Sequence, residues 1–553
     1  MNGISHMRKN ILATLVIVTL FACQSKTESS SENSKESKSS KAELEKKVTK
    51  RDYTITASNA YNDIFLDSLA MEKFIVDTKQ NDKVIRRMRS FYNARNYQYA
   101  WFASDGLTEQ ARGFWNLQSY YTTLNKDTTK NFKMLTGLMD KIETVEKLNV
   151  STGDKNLLNT EFLLTTHFIN YILNNYEDGA VKRKELERFI PLVKRDALSF
   201  ADSLLTKKHK DNKYYEDNNA AYKALKIKLQ TYYDAAKNGG WQPINTGKIS
   251  LKSGASSPYI LQIKKRLLAT NDMPVDSTNV YDTQLQTAIV NFQTSLGLTA
   301  DGVITESLIK ELNVPAVKRV EQILINMDRM RWMPEAEGNL LLVNIPEFTL
   351  QVFEGAKKAF TMNVVVGKEG HNTMMFKGDL NQIVFSPYWN LTPDIIREEI
   401  MPAMAKNPDY LATHNMEVTG TSGGFPVIRQ LPGEENSLGK VKFLFPNSFN
   451  IYFHDTPAKS LFAKDKRAYS HGCIRLSEPT KLAEYLLRSK TEWTSDKISE
   501  AMNSGKETYV SLKNPVPVII TYYTAWVDEN GLLNFRDDIY KHDALLQKKM
   551  FLN

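Results

Sequence analysis

The sequence predicts a multidomain α+β protein with three folded parts: a helical scaffold, a small three-helix module and a mainly β domain with a capping insertion. Two observations support this fold class. The chain has 553 residues, which is too many for a single hydrophobic core. Its apolar residues recur at three- and four-residue steps in the first part and form short β-branched or aromatic runs after about residue 340. The chain thus divides into a helical N-terminal part and a β-rich C-terminal part.

The N-terminus has the pattern of a secretion signal. Arg8 and Lys9 precede an apolar run over residues 11–22, which is too short to span a bilayer as a mature helix. The run ends in the string LFAC, which resembles a bacterial lipobox. The resemblance implies that Cys23 carries lipid and becomes the mature N-terminus, and two or three acyl chains make a stable anchor. We predict a lipoprotein signal peptide over 1–22; an ordinary signal peptide with a chance cysteine is the alternative.

A polar tether and the helical scaffold follow the signal. Residues 23–55 are rich in Ser, Lys and Glu, so we predict that they are disordered. Residues 56–245 carry apolar side chains at helical spacing, such as Leu164 and Phe168, and contain no cluster of catalytic residue types. His167 lies on the apolar face of one such helix, where a packed histidine is a better interpretation than a ligand.

Residues 250–314 predict a compact module of three helices. Ser257 and a proline begin the first helix, Gly297 ends the second, and an Asp-Gly turn precedes the third. The string VNFQTSLGLTADGVITESLIKEL resembles the small peptidoglycan-binding domain of many wall enzymes, and an unrelated packing module is the alternative. One further helix over 315–338 connects this module to the next part.

Residues 339–540 predict the mainly β domain. Strings such as NLLLVNI, TLQVFEG and KVKFLFP are rich in β-branched or aromatic residues and are separated by Gly, Pro or Asn. The stretch 392–438 breaks this rhythm, because it holds a helical piece and a flexible Gly-rich piece, TGTSGG. We predict that this stretch is a capping lid.

Charge and cysteine content argue against a nucleic-acid-binding protein and against a disulfide-stabilised fold. The net charge of +9 suits a polyanion, but no nucleic-acid motif accompanies it, so we predict no nucleic-acid partner. The two cysteines lie far apart in different contexts, so they do not build a disulfide framework. Cys473 therefore needs an explanation other than a structural crosslink.

Two histidines lie in positions where they could activate Cys473. A free thiol is only a few per cent thiolate at neutral pH, so a catalytic cysteine needs a base or a positive field. His471 lies two residues before Cys473, and His454 ends a strand that could pair beside it. An inert buried cysteine with two satisfied histidines is one alternative. A metal site formed by these three residues is another, disfavoured because no second Cys/His cluster lies nearby.

Two further residues of the same segment suit acyl transfer. Gly472 lets the backbone approach a ligand closely, so that consecutive N–H groups could hold a developing oxyanion. Arg475 could receive a carboxylate through two hydrogen bonds. The segment therefore combines a nucleophile, bases, oxyanion donors and an anion receptor.

This segment resembles the signature of L,D-transpeptidases with the YkuD-type catalytic domain. That signature is a His, a gap of about fifteen residues, then Ser/Thr-His-Gly-Cys, a hydrophobic residue, and Asn or Arg. Here residues 455–469 form the gap and Arg475 takes the last place. The strings RAYSHGCIRLSEP, SPYWNLTP and INMDRMRWMP resemble the YcbB-like branch. Together with the module, the resemblance covers nearly everything after about residue 55.

The resemblance implies a role for each residue of the motif. Cys473 is the nucleophile, and His454 is its base, oriented by the backbone carbonyl of Asp455. His471 supports the thiolate and the geometry of the site. The N–H groups of Gly472 and Cys473 form the oxyanion hole.

It also implies which residues contact the substrate. Arg475 and the aromatic pair Tyr388 and Trp389 are candidates for holding the donor stem. Ser470 is implied to be a structural hydrogen-bonding partner inside the site, and Asp455 contributes its main chain rather than its carboxylate. The stretch 392–438 corresponds to the mobile capping subdomain of the branch.

The implied reaction is ping-pong acyl transfer without a cofactor or metal. Cys473 attacks the bond between the third-position diamino acid and the terminal D-alanine of a tetrapeptide stem. An amine of a second stem then resolves the thioester and gives a 3→3 crosslink; carbapenems would acylate the same thiol. An L,D-carboxypeptidase and a catalytically degenerate wall-binding lipoprotein are the alternatives. The expected partners are peptidoglycan and, through Cys23, a membrane of the cell envelope, with the outer membrane preferred.

Overall fold

The computed structural model describes residues 48–125, 130–143, 150–175, 189–206, 219–334 and 337–552. The predicted signal peptide, Cys23 and most of the predicted tether lie outside these residues. In the described ranges no helix is both long and apolar enough to cross a membrane. The predicted fold class is confirmed: a helical N-terminal region, a small helical module and a mainly β C-terminal domain follow one another along the chain.

The N-terminal region is built from helices with polar caps. Its helices span Ser68–Thr78, Asp82–Ala94, Glu109–Asn125, Lys130–Glu143, Lys155–Asn175, Ala197–Leu205 and Ala220–Lys237. The side chains of Asp67, Asn81, Asp196 and Asn219 each accept a hydrogen bond from a backbone N–H of the first turn that follows. Such caps satisfy N–H groups that have no partner within the helix.

A small hairpin interrupts these helices, and the helical periodicity did not predict it. It pairs β1 (Phe102–Ala103) with β2 (Gly106–Leu107). Just before β1, the buried carboxylate of Glu161 accepts hydrogen bonds from the backbone N–H groups of Ala100, at 2.7 Å, and Trp101, at 3.0 Å. A buried N–H needs a partner, so Glu161 allows the chain to leave the helical pattern here.

The three-helix module has the predicted order of elements. Its helices span Pro258–Leu268, Thr283–Ser295 and Glu306–Leu312, and Ala316–Met330 forms the connecting helix. The short strands β3 (Ser250–Leu251) and β4 (Ile304–Thr305) pair beside them. Gly297 follows the second helix with φ of +68°, a conformation that glycine adopts without steric cost. The predicted turn at this glycine is therefore present.

The C-terminal domain is a strongly curved sheet. Its strands, with those of the capping segment, are β5 (Asn339–Asn344), β6 (Thr349–Glu354), β7 (Lys357–Gly367), β8 (Lys377–Phe385), β9 (Trp389–Asn390), β10 (Met416–Ser422), β11 (Phe425–Gln430), β12 (Val441–Leu444), β13 (Phe453–His454), β14 (Ala468–Ser470), β15 (Ile474–Leu476) and β16 (Thr508–Thr521). The main sheet has the order β14-β7-β15-β13-β12-β8-β16-β5-β6. Because β6 also pairs with β7, the ladder returns on itself and encloses one apolar core.

Helices and a second hairpin complete the C-terminal part, and the hairpin and the last helix pack with the helical core, which contains Phe535 and Met550. The helices span Pro479–Leu487, Ser495–Asn503 and His542–Met550, and the hairpin pairs β17 (Ala525–Val527) with β18 (Leu533–Phe535). Leu482 and Ile498, from the first two helices, lie in the same buried cluster as the inward-facing side chains of the sheet. The sheet is thus a rigid support for the loops at its edge.

The capping segment has its own small core and sheet. Its helical piece winds continuously through Pro393–Ile395, a π-helical turn at Ile396–Ile400 and Met401–Lys406. Strands β10 and β11 form a hairpin that pairs with β9. The Gly-rich string predicted to be flexible forms the end of β10 and the hairpin turn, where Gly423 and Gly424 have positive φ.

Candidate active site

The site lies where two short parallel strands meet. Strand β13 pairs with β15, and His454 lies opposite Arg475 in the register. Strand β15 also pairs with β7, so both residues are held within the main sheet. Cys473 immediately precedes β15, which brings it to the same edge. The sequence motif separated by the long gap is therefore joined by strand pairing.

The turn that carries Cys473 is fastened by two hydroxyl groups. Ser470 Oγ donates to the carbonyl of Cys473 at 2.5 Å and accepts from the N–H of Gly472 at 3.1 Å. Thr373 Oγ1 donates to the carbonyl of Gly472 at 2.7 Å. Gly472 has φ of +111°, so a side chain at this position would strain the turn.

This geometry bears on two of the expected roles. Ser470 is 2% exposed and its hydroxyl bonds to the turn, an arrangement that suits a structural partner inside the site; its contact with substrate stays a prediction. The N–H of Gly472 donates to Ser470 and is not free to hold an oxyanion. The N–H of Cys473 has no acceptor in the described part of the chain, so one of the two expected donors remains open.

The thiol of Cys473 is half-buried and protonated at neutral pH. Its Sγ lies 3.6 Å from the carbonyl oxygen of Asn450. Burial raises the pKa of the thiol to about 11, although hydrogen bonds from the backbone N–H and hydroxyl of Tyr452 and the charge of Arg475 act in the opposite direction. A neutral thiol with this pKa requires a base to become a nucleophile.

His454 has the form of a neutral base. It is 4% exposed, and its Nδ1 lies 2.5 Å from the carbonyl oxygen of Asp455. Since a carbonyl can only accept, Nδ1 carries the proton and Nε2 keeps its lone pair. Burial, and then the charge of Arg475, lowers the pKa of His454 to about 3. No hydrogen bond joins His454 to Cys473 among the described residues.

The carboxylate of Asp455 is directed away from this pair. It accepts from the backbone N–H of Lys440 at 2.9 Å and forms an ion pair with Lys459. Gly439 packs directly against it, and an added Cβ there would lie 2.4 Å from its carboxyl group. Only the main chain of Asp455 therefore contacts His454.

His471 contacts the capping segment. Its Nε2 lies 2.7 Å from Oε1 of Glu399 and 3.4 Å from Nζ of Lys368. The ring of His371 packs edge-on against it with 4.9 Å between centroids. Burial lowers the pKa of His471, Glu399 opposes this shift, and Lys368 and His371 add to it. His471 thus links the catalytic turn to the lid.

Arg475 carries a charge without a carboxylate partner. Its Nε is buried and has no hydrogen-bond partner, and no ion pair to Arg475 occurs within the described ranges. Burial lowers the pKa of its guanidinium, and the nearby Cys473 acts in the opposite direction. The guanidinium is thus partly removed from water with no anion beside it, a situation that an incoming negative group would relieve.

The two aromatic candidates have different surroundings. The guanidinium carbon of Arg429 lies over the ring of Tyr388, 4.1 Å from the centroid of that ring. Trp389 packs against the buried core of the capping segment, which includes Leu391 and Ile428. Both are half-buried at the base of the lid, and their expected contact with the donor stem stays a prediction.

Several residues of the site were not identified from the sequence. Tyr452 lies two residues before His454, and the two-residue period of an extended chain places both on one side, a signal that could have found it. Glu399 and Lys368 are brought to His471 by the fold, and no local pattern marks them. The described residues contain no group of three or more His, Cys, Asp or Glu side chains arranged to hold a metal.

Comparison with protein families agrees with this arrangement of parts. Residues 338–519 match the YkuD family, "L,D-transpeptidase catalytic domain". The chain carries an L,D-transpeptidase catalytic domain. Residues 256–312 match "Putative peptidoglycan binding domain", and residues 86–229 match "Scaffold domain". The catalytic match contains the whole candidate site.

Individual relatives share part of the chain. A Haemophilus influenzae protein named "Putative L,D-transpeptidase" is 31% identical over 250 residues, which cover 42% of this chain and 49% of that protein. The match thus spans about half the length of the relative. Solved L,D-transpeptidases from Stackebrandtia nassauensis and Mycobacterium smegmatis are each 17% identical, with TM-scores of 0.21 and 0.19. They align over 50% and 33% of this chain and over 97% and 58% of their own.

Proposed function

We propose that the protein is a peptidoglycan L,D-transpeptidase of the YcbB-like branch, which forms 3→3 crosslinks through a thioester on Cys473. The observation that carries this proposal is the pairing of β13 with β15 inside the matched catalytic domain. It brings a neutral, buried imidazole at His454 and an unpaired guanidinium at Arg475 beside Cys473. An inert cysteine would need neither group.

The first half of the reaction acylates the thiol. Nε2 of His454 takes the proton as Sγ of Cys473 attacks the carbonyl carbon of the third-position diamino acid. The tetrahedral intermediate collapses, the C–N bond to D-alanine breaks, and the imidazolium returns the proton to the leaving amine. The carbonyl of Asp455 keeps the imidazole in the tautomer that this step requires.

The second half transfers the acyl group. The side-chain amine of another stem loses a proton to His454 and attacks the thioester carbon. The C–S bond breaks, the imidazolium returns the proton to the sulfur of Cys473, and the new amide bond is the crosslink. The lowered pKa of His454 keeps the imidazole neutral at neutral pH, so Nε2 can accept a proton at the start of both half-reactions. The Sγ must first leave the carbonyl of Asn450, so substrate binding has to turn the thiol toward Nε2.

The backbone at Cys473, the side chain of Arg475 and two aromatic rings are proposed to contact the substrate. The N–H of Cys473 donates to the developing oxyanion, and the N–H of Gly472 could join it only by leaving Ser470. Arg475 receives a carboxylate of the donor stem through its fork of N–H groups. Tyr388 and Trp389 form the side of the groove beneath the lid.

The N-terminus and the module suggest where the enzyme works. We propose that lipid on Cys23 anchors the protein in the cell envelope, preferably to the outer membrane, with the module over 256–312 holding the wall. Changing Cys23 to Ala should move the protein from the membrane fraction to the soluble fraction. Deleting 256–312 should weaken sedimentation with isolated sacculi, and unchanged sedimentation would favour a purely structural module.

Mass spectrometry with tetrapeptide-containing muropeptides tests the reaction. The wild type should gain the acyl mass on Cys473, release D-alanine and produce crosslinked dimers; Cys473→Ser should do none of these. Tripeptide products without dimers would indicate an L,D-carboxypeptidase. The absence of both products and of any mass gain, with a carbapenem as well, would leave a wall-binding lipoprotein with a degenerate catalytic domain.

A further inference from the structure

The capping segment reaches the catalytic turn through the carboxylate of Glu399. Glu399 lies in the π-helical turn Ile396–Ile400, whose two terminal isoleucines are buried in the core of the lid. Its own side chain is 50% exposed and lies 2.7 Å from His471. π-turns are rare and occur frequently at functional sites. Here the turn places the carboxylate of Glu399 beside His471 while its terminal isoleucines stay anchored.

The groups around His471 define what this contact does. A carboxylate can only accept, so the short contact with Glu399 requires that Nε2 of His471 carries the proton. Lys368 lies farther from the same nitrogen, at 3.4 Å, and an ammonium group can only donate, so it cannot bond to a protonated Nε2. Lys368 and the edge of His371 face the same ring. Glu399 is therefore the group that selects the tautomer of His471.

We propose that Glu399 is a positioning residue, which fixes the tautomer of His471 and ties the lid to the catalytic turn. It acts through His471 and does not touch the reacting atoms. With Nε2 protonated, Nδ1 of His471 is left as an acceptor for the site. The backbone on both sides of His471 is fastened, because the Ser470 hydroxyl bonds to the turn and Thr373 holds the Gly472 carbonyl. The backbone of His471 is thus held, and the orientation of its imidazole ring is what the contact with Glu399 fixes.

This inference rests on the proposed function, in which His471 supports the thiol. Its tests are chosen so that they do not depend on turnover. Glu398, the next residue in the same π-helical turn, is a matched control. It is similarly exposed and lies 3.7 Å from Arg397, and among the described residues it forms no hydrogen bond or ion pair with His471.

The first test is a nitrogen-15 NMR titration of the full chain labelled at histidine. The His471 signal is assigned among the eight histidines by its loss in His471→Gln. Glu399→Gln should lower the midpoint of the His471 titration by about half to one pH unit, since Lys368 and His371 then act unopposed. Glu398→Gln should leave it unchanged. An unchanged midpoint in Glu399→Gln, or an equal shift in the control, would overturn the proposal.

The second test measures the tie to the lid by hydrogen exchange. Glu399→Ala should speed exchange of backbone amides over 392–406 about two- to fivefold, as expected for loss of a partly exposed ion pair. Glu398→Ala should not. If the Glu399 variants change both the His471 midpoint and the amide exchange rates, but no acyl-enzyme forms on Cys473 in the wild type, the proposed function is wrong and the positioning role of Glu399 is supported. If acylation occurs while neither responds, the positioning role is wrong and the proposed function stands.

Discussion

Two arginines of this protein occupy opposite electrostatic situations. Arg329, 9% exposed in the helix that joins the module to the β domain, donates to Glu109 at 2.8 Å and to Asp543 at 2.5 Å. These carboxylates outweigh the effect of burial and hold the pKa of Arg329 above its ordinary value. Arg475 has no carboxylate among the described residues, and burial lowers its pKa. The buried charge of Arg329 is fully matched, and the partly buried charge of Arg475 has no anion beside it.

The difference separates a structural group from a binding group. At Arg329, the scaffold helix with Glu109 and the C-terminal helix with Asp543 meet on one cation, so the arginine joins parts distant in sequence. At Arg475, the missing anion leaves part of the desolvation cost uncompensated. A ligand carboxylate would remove that cost. The comparison predicts that changes at Arg329 affect stability and changes at Arg475 affect reaction rate.

The largest effect is expected from Arg329→Met. The change leaves the carboxylates of Glu109 and Asp543 partly buried without their cation, and breaking such a network costs about 3–5 kcal/mol of unfolding free energy. Urea denaturation followed by circular dichroism measures it. Arg475→Met is the control and should change the unfolding free energy by less than about 1 kcal/mol. Equal losses in both variants would remove the distinction between the two arginines.

The pH dependence of acylation should distinguish His454 from His471. With a pKa of about 3 for His454 and about 11 for Cys473, the neutral pair dominates between these values. The wild-type acylation rate with a carbapenem should therefore be nearly constant from about pH 5 to 9. Below about pH 3, His454 gains a proton and the base is lost; above about pH 11 the thiolate forms unaided.

His454→Ala should lose about a thousandfold in rate at about pH 7. Its remaining rate depends on the thiolate fraction, which rises about tenfold per pH unit below the thiol pKa, so part of the rate returns near pH 9. His471→Ala should be impaired at both pH values, because that residue lies within the catalytic turn. Mass spectrometry of the adduct over time measures each rate. Alkaline rescue confined to the His471 variant would exchange their roles.

Much of the fold follows from local patterns in the sequence. The second helix of the module was predicted because its apolar residues follow a 3.6-residue period and Gly297 ends it. The strands of the β domain were predicted because branched and aromatic runs alternate with turn residues. The hairpin at Phe102 was missed, since the two N–H groups just before it, of Ala100 and Trp101, are satisfied by Glu161, which lies far along the chain. Local periodicity does not encode such a partner.

The candidate site also contains features that the sequence predicted and features that it did not. The motif indicated Cys473 and His454 because their spacing is a property of the chain. It did not indicate that the hydroxyl of Ser470 accepts a hydrogen bond from the N–H of Gly472, because that bond depends on the folded conformation of the turn. The contact between Glu399 and His471 depends on how the lid docks, and a single sequence contains no local signal for it.

Arg475→Ala should reduce acylation by tetrapeptide donors about a hundredfold, close to 3 kcal/mol, because two charge-assisted hydrogen bonds to the stem are lost. Arg475→Lys should recover only part of this loss, since an ammonium group keeps the charge but not the fork. Initial rates of D-alanine release measure both. A rate in Arg475→Ala equal to the wild type, with the fold intact, would show that the open guanidinium does not serve the donor.

The smallest expected effect concerns Tyr452, whose hydroxyl favours the thiolate of Cys473. Tyr452→Phe removes one neutral hydrogen bond, worth about 0.5–1.5 kcal/mol, and should raise the thiol pKa further. The rate of alkylation by iodoacetamide near pH 9, which reports the thiolate fraction, should fall about two- to tenfold. Tyr469→Phe is the matched control, since Tyr469 is 44% exposed on β14, at the edge of the main sheet.

The reagent and the substrate should respond differently to this change. Iodoacetamide requires a preformed thiolate, so its rate follows the thiol pKa directly. In the proposed reaction His454 removes the proton during attack, so the substrate rate should fall less than the alkylation rate in Tyr452→Phe. An equal fall in both rates would mean that the wild type reacts through a preformed thiolate. The neutral thiol and imidazole would then not be the reacting pair. Arg475, whose charge has no carboxylate partner, would remain the one feature that distinguishes this site from the Arg329 cluster.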